Sequence, residues 1–83
     1  MFVLYVGIDV SRNTLDVATC LRDAPVADLG KYANAEAEFS QLAEAISSRA
    51  QELGADTIHM IVEPTGGYEQ PLALYALERG WQV

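Results

Sequence analysis

The most constraining feature of the sequence is its opening run from Phe2 to Val10, which carries apolar residues at both odd and even positions. A strand with apolar side chains on both faces is typical of the middle of a sheet that is covered on both sides. The run is about half as long as a membrane span requires, and it contains the charged Asp9. It therefore predicts a central strand, with neither a signal peptide nor a membrane anchor.

The composition indicates one packed domain, comprising residues 1–83. Of these 83 residues, 51% are apolar and 20% are charged, which is typical of a globular domain. A chain of this length can form one hydrophobic core but not two. The single cysteine, Cys20, excludes an intramolecular disulfide framework and favours the cytoplasm. The net charge of −7 is opposite in sign to that of a typical free-standing nucleic-acid binder. Binding of nucleic acid would therefore need metal ions or additional basic segments.

The first half of the chain predicts three strands followed by a helix. Turn-forming residues separate Phe2–Val10, Thr14–Leu21 and Val26–Ala33, which predict an antiparallel arrangement with a polar third strand at the sheet edge. Apolar residues then recur at helical spacing up to Gly54, and Asn34 is the predicted N-cap of this helix.

The second half predicts another strand and another helix. Thr57–Val62 is a short apolar run that predicts a buried strand reached through a helical crossover. Tyr68–Arg79 predicts a helix with Pro71 in its first turn, and Trp81–Val83 has the pattern of a further strand. The fold class is therefore a mixed α/β sheet. The end at Val83 suggests the N-terminal piece of a longer protein, and such a piece is expected to pair with a second copy of itself.

Two acids stand at the ends of predicted buried strands, Asp9 in the first and Glu63 after the fourth. A carboxylate in such a position is costly to desolvate unless a cation or hydrogen-bond donors compensate. If the two strands are parallel neighbours, both carboxylates lie at one sheet edge, and because adjacent strands are about 4.8 Å apart they can share Mg²⁺. A structural role is equally open, since Asp9 could cap the turn at Ser11–Asn13 and Glu63 could pair with Arg12.

Two sequence motifs extend this interpretation. Gly7–Val17 (GIDVSRNTLDV) and Glu63–Glu69 (EPTGGYE) resemble the N-terminal catalytic domain of DEDD-type insertion-sequence transposases, the group that includes the Piv-type DNA invertases. The resemblance covers essentially the whole chain and implies a ribonuclease H-like (RuvC-like) mixed sheet, truncated after the second helix. It also implies that Asp9 and Glu63 are the first two acids of a metal-binding tetrad, whose two remaining aspartates would follow Val83.

The activity implied by this resemblance is metal-dependent cutting and rejoining of DNA phosphodiesters, with Mg²⁺ or Mn²⁺ as cofactor. Because a two-metal site needs more than two carboxylates, this segment alone is expected to bind metal weakly and to be inactive. The resemblance implies DNA as a partner, a C-terminal domain with a nucleophilic serine, and in some relatives a guide RNA. A homo-oligomer and no membrane association are also expected.

Other polar residues are expected to have smaller roles. Asp16 in the second strand should pair with Arg12 or Arg22, although it belongs to the family motif. His59 has no second ligand nearby in sequence and is expected to be an ordinary sheet residue. Cys20 is expected to be a small core residue.

The segment after Glu63 offers a weaker signal. Thr65–Gly67 precedes a predicted helix and could bind a DNA phosphate, although two adjacent glycines are equally typical of a plain turn. Tyr68 could stack on a base or fill the space between helix and sheet.

Two other functions are compatible with the sequence. The first is an actin-like or sugar-kinase-like nucleotide-binding half, which shares the strand order and places an Asp after its first strand. The loop Asp9–Thr14 argues against it, because it lacks the glycines that cradle phosphates. The second is a non-catalytic dimerisation module, which the acidic charge supports.

Overall fold

The computed structural model describes residues 2–22, 25–63 and 66–83. Its strands and helices follow the predicted order, and their ends lie within two residues of the predicted ones. The elements are β1 (Val3–Val10), β2 (Thr14–Cys20), β3 (Ala27–Ala33), α1 (Glu36–Leu53), β4 (Thr57–Val62) and α2 (Gln70–Glu78).

The four strands form one mixed sheet in the order β3-β2-β1-β4. β2 pairs antiparallel with both β1 and β3, whereas β1 and β4 are parallel. The connection between β3 and β4 runs through α1, as expected for strands that cannot be joined by a short turn. The predicted α/β class and the edge position of β3 are confirmed, and the first and fourth strands are parallel neighbours, which is the condition for the shared metal site.

The core lies on one face of the sheet only. Burial alternates along β1, where Leu4, Val6, Ile8 and Val10 are buried and the intervening residues are not. These four side chains belong to one cluster with buried residues of α1 and α2, so both helices cover the same face. The predicted covering of β1 on both faces is therefore wrong for the described part of the chain.

β4 is also less buried than its sequence indicates. Met60 is fully buried, but its neighbour Ile61 is 53% exposed. An apolar side chain on the second face remains in water because the two described helices both pack on the first. Apolar content shows which residues prefer burial, but it does not show whether an element is present to bury them.

The last residues of the chain continue the sheet beyond β4. The Met60 amide donates to the Gln82 carbonyl oxygen at 2.8 Å, and the Gln82 amide donates to the Ile58 carbonyl oxygen at 3.1 Å. Gln82 thereby forms a parallel bridge with His59. The predicted start of a further strand is confirmed as this single bridge.

The helix ends lie within two residues of the predicted ones, and one predicted cap is wrong. Gly54 ends α1 with a left-handed φ of 71°, and Pro71 lies in the first turn of α2, both as predicted. The N-cap of α1 is Ala35, not Asn34, and no side chain caps this end. Asn34 is one residue too early and directs its amide elsewhere. Neither helix in the described ranges is long and apolar enough to cross a membrane.

Candidate metal site at the edge of the sheet

The strand register places the two predicted ligands at the same end of two neighbouring strands. β1 and β4 pair in parallel from Val3 with Thr57 through Ile8 with Val62. Asp9 and Glu63 are the residues that directly follow this last pair. The metal-site hypothesis depends on this placement at adjoining strand ends.

Asp9 also faces an acid on its other side. In the antiparallel pairing of β1 with β2, Asp9 lies directly opposite Asp16. Both belong to the sheet face opposite the helices, because Ile8, Val10 and Leu15 on the alternating positions are buried in the core. Two strand carboxylates are therefore cross-strand neighbours on the face that the described helices leave open.

Neither predicted ligand is buried. Asp9 lies within β1, one residue before its end, and Glu63 directly follows β4, but both residues are exposed. We expected each carboxylate to be desolvated at the end of a buried strand, and this expectation is wrong. The reason is the open face of the sheet, which leaves this edge in contact with solvent.

The two structural alternatives for these acids do not occur within residues 2–22, 25–63 and 66–83. Among those residues no ion pair joins Glu63 to Arg12, and no hydrogen bond links the Asp9 carboxylate to the following turn. Ser11 and Thr14 close that turn instead, through an amide-to-carbonyl bond of 2.9 Å and a hydroxyl contact of 2.7 Å. Both carboxylates are thus without a cationic or capping partner in the described structure.

Asp16 has a different partner from the one predicted. Its Oδ1 lies 3.7 Å from Nζ of Lys31, and both side chains are more than half exposed. The pairing with Arg12 or Arg22 is wrong because β3 places Lys31 directly across from Asp16 in the antiparallel register. A surface pair of this kind contributes little stability, but it offsets part of the negative charge beside Asp9.

The donor set suits a hard divalent cation only in part. Carboxylate oxygens are the ligands that Mg²⁺ prefers, and Asp9 and Glu63 supply two carboxylates directly after the last residue pair of β1 and β4. In the described part of the chain, however, no group of three or more His, Cys, Asp or Glu residues is close enough to hold a metal ion. Asp9 and Glu63 therefore fit as two ligands of an incomplete shell.

Residues farther along the open face form an aromatic contact. The rings of Tyr5 and His59 lie 5.9 Å apart, and Tyr5 is also the cross-strand partner of Cys20. This contact is consistent with an ordinary sheet role for His59. The prediction that Cys20 belongs to the core is wrong, because its position in β2 places it on the open face, where it is half-buried.

The segment between β4 and α2 is described from Gly66 onward, so Thr65 of the proposed phosphate loop lies outside the described residues. Gly66 and Gly67 both have left-handed backbones, with φ of 58° and 83°. The Tyr68 ring packs over Gly66, where an added Cβ would lie 3.4 Å from the ring. The two glycines form a turn that is separated from the start of α2 by two residues.

Asn34 connects the two segments that follow the predicted ligands. Its Nδ2 donates to the Ser11 carbonyl oxygen at 2.9 Å and to the Tyr68 carbonyl oxygen at 3.1 Å. Its backbone N–H donates to the Asn13 carbonyl oxygen at 2.9 Å. An asparagine just before a helix is typical of an N-cap. The local sequence pattern therefore did not predict that Asn34 connects these two segments.

A groove of about 340 Å³ lies between the two helices, away from the face that carries Asp9. Aromatic and aliphatic side chains form its walls, and two glutamates stand among its lining residues. These residues are Glu36, Phe39, Pro71, Leu74, Tyr75 and Glu78.

The sequence was also compared with known proteins. No protein-family model matches it. No curated protein sequence matches it either. The functional interpretation therefore depends on the motifs in the sequence and on the geometry described above.

Proposed function

We propose that this chain is a catalytic-domain segment of a DEDD-type DNA transposase or recombinase with a ribonuclease H-like fold. In this proposal Asp9 and Glu63 are metal-ligating carboxylates. The observation that carries it is the parallel register of β1 and β4, whose last pair, Ile8 with Val62, directly precedes these two acids at the carboxyl ends of the strands. The absence of any cationic partner for either carboxylate in the described ranges supports the same role.

The fold is compatible with this function but does not select it. An antiparallel β1–β2–β3 arrangement followed by a parallel strand after a helical crossover agrees with the ribonuclease H-like fold that the motifs imply. Nucleotide-binding domains of the actin and sugar-kinase type share this strand order. The choice between the two classes therefore depends on the site residues.

The turn after β1 favours the transposase. Only Arg12 and Asn13 separate Ser11 from Thr14, whose mutual hydrogen bonds close the turn tightly. A nucleotide phosphate would need a glycine-rich backbone that can approach it closely, and this turn contains no glycine.

The proposed chemistry assigns a limited part to this chain. Bound Mg²⁺ or Mn²⁺ would stabilise the negative charge that develops on phosphodiester oxygens during cleavage and transfer. Asp9 and Glu63 would hold and orient the cation, and its positive charge would offset the repulsion between DNA and a chain of net charge −7. Further ligands would come from DNA and from acids outside these 83 residues, and the proposed setting is the cytoplasm.

Titration of the chain with Mn²⁺ tests this proposal. The concentration of free Mn²⁺ is measured at each step from its electron paramagnetic resonance signal. Weak binding is expected, with a dissociation constant of roughly 10⁻⁴–10⁻³ M for so few protein ligands. Asp9→Asn and Glu63→Gln should each weaken it at least tenfold. Asp56→Asn is the matched control, because Asp56 is an exposed acid that precedes β4 at its opposite end. Undetectable binding to the unmodified chain, or equal binding to the Asp9 variant, would refute the proposal.

A dimerisation module is the second candidate, and one observation favours it. Leu74 and Leu77, three residues apart on α2, are each more than half exposed, so they place large apolar side chains next to each other on the surface of this helix. Sedimentation equilibrium tests this function. A stable dimer that binds no Mn²⁺ would support it over the transposase, and a monomer at all concentrations would exclude it.

A further inference from the structure

We propose that Asn34 is a positioning residue that holds the turn after Asp9 and the segment after Glu63 at a fixed separation. This inference rests on the proposed metal site and adds the device that keeps its two ligands together. Asn34 itself is not proposed to touch the metal.

The first step is the limit of the strand pairing. Backbone pairing between β1 and β4 ends at Ile8 and Val62, immediately before the two proposed ligands. Beyond this last pair, the side chain of Asn34 joins the turn at Ser11 to the segment at Tyr68 by two hydrogen bonds. This side chain is therefore placed to fix one segment relative to the other.

The second step is the donor geometry of Asn34. A side-chain amide has two N–H donors on one nitrogen, and Asn34 gives one to each segment, to the Ser11 and Tyr68 carbonyl oxygens. Ser11 is two residues beyond Asp9, and Tyr68 is five residues beyond Glu63. The planar amide thus sets the distance between two carbonyl groups that flank the site.

The third step is the anchoring of Asn34 itself. Its backbone N–H donates to the Asn13 carbonyl oxygen, and α1 begins only two residues later. The amide therefore projects from a point fixed both by the hairpin turn and by a helix packed on the core. The hydrogen bonds of Asn34 keep the segments that follow Asp9 and Glu63 from moving apart. We expect this restraint to preserve the affinity of the site for the metal ion.

The test compares Mn²⁺ affinity in two asparagine variants, measured well below the unfolding temperature of each. Asn34→Ala should bind Mn²⁺ about tenfold more weakly, the lower end of the effect seen for residues that orient metal ligands. Asn13→Ala is the matched control. It removes an amide from the same turn, but the Asn13 side chain makes no hydrogen bond within the described ranges, so its affinity should be unchanged. A purely structural role for Asn34 would lower thermal stability and leave the affinity of the folded protein as it was.

Hydrogen exchange on the unmodified chain gives an independent readout that does not require the variant to fold. Mn²⁺ should slow amide exchange in residues 11–14 and 66–70 together, because Asn34 couples the two segments. Protection of only one segment would overturn the inference, as would equal Mn²⁺ affinity of Asn34→Ala and the unmodified chain.

The two proposals fail differently. If the unmodified chain binds Mn²⁺, Asp9→Asn weakens binding at least tenfold and Asn34→Ala does not weaken it, only the positioning role is refuted. If the unmodified chain binds no Mn²⁺, the metal site is refuted and the positioning role with it.

Discussion

Replacing Asp9 with asparagine is expected to stabilise the metal-free domain, although the same change removes a proposed metal ligand. Asp9 lies directly opposite Asp16 in the antiparallel pair of β1 and β2. Like charges opposite each other on a sheet are destabilising. Asparagine keeps the size and the low strand propensity of aspartate, so the change isolates the charge.

The magnitude follows from the cross-strand spacing. Side chains directly opposite each other are about 5 Å apart at Cβ, and two unit charges at that distance in water repel by roughly 0.8 kcal/mol. Screening at physiological ionic strength and the contact of Lys31 with Asp16 reduce this, to about 0.5 kcal/mol. For a domain of this size, that difference corresponds to an increase in the melting temperature of about 2–4 °C.

Urea unfolding in the presence of a chelator, at about 0.05 M and about 1 M NaCl, measures this effect. The gain in unfolding free energy should be largest at low salt and nearly absent at high salt, where the Debye length is about 3 Å. Glu44→Gln is the control, because Glu44 is exposed on α1 and has no hydrogen bond or ion pair in the described structure. Adding Mn²⁺ should stabilise the unmodified chain but not the Asp9 variant.

Three results would contradict this reasoning. The first is a loss of stability in Asp9→Asn, and the second is an equal gain in Glu44→Gln, which would indicate relief of net charge alone. The third is a gain that persists at high salt, which would assign the effect to something other than repulsion between the carboxylates.

Two further predictions concern the core. Thr19 is buried, and its Oγ1 has no hydrogen-bond partner in the described structure, so Thr19→Val should raise the unfolding free energy by about 1 kcal/mol in urea titrations. Thr14→Val, which removes a hydroxyl bonded to Ser11, should lower it, and equal effects of the two changes would contradict the explanation. Leu4→Ala should cost about 2–5 kcal/mol because Leu4 is fully buried in the main cluster. Leu74→Ala, at a position 60% exposed, should change stability by less than about 0.5 kcal/mol, and a cost similar to that of Leu4→Ala would show that the α2 surface is covered in solution.

The secondary structure could be predicted because its signals are local. The helical period from Asn34 to Gly54, the glycine at its end and the turn at Ser11–Asn13 each act within a few residues. A helical crossover before β4 favours a parallel strand, but α1 connects β4 to β3, so the sequence did not determine that β1 would be the neighbour of β4.

The covering of the sheet could not be predicted, because it depends on elements far along the chain. Phe2–Val10 is apolar on both faces, yet its odd positions remain at least partly exposed in the structure. The exposure of Asp9 and Glu63 follows from the same open face. The expectation of costly burial for these acids was wrong for that reason, whereas their positions at the ends of the first and fourth strands depended only on local pattern.

The partners of individual polar side chains were also beyond sequence reasoning. Asp16 contacts Lys31 because the β2–β3 register pairs these two residues. The register shifts by one residue between Val17 and Ala18, beyond this pair. Asn34 has the residue type and position expected of a helix cap, and its bridging role appears only once the turn at Ser11 and the segment at Tyr68 are placed on either side of it. Contacts between distant segments decide both outcomes.

The parallel register of β1 and β4 makes the sheet face on which Glu63 lies depend on the number of residues in β4. Side chains alternate between faces along a strand, so deleting or inserting one residue between Thr57 and Val62 would turn Glu63 toward the helix layer or shift it out of line with Asp9. Length changes within this strand are therefore much more restricted than changes of residue type. A homologous chain with the same two acids should keep six residues in this strand, even where the residues themselves differ.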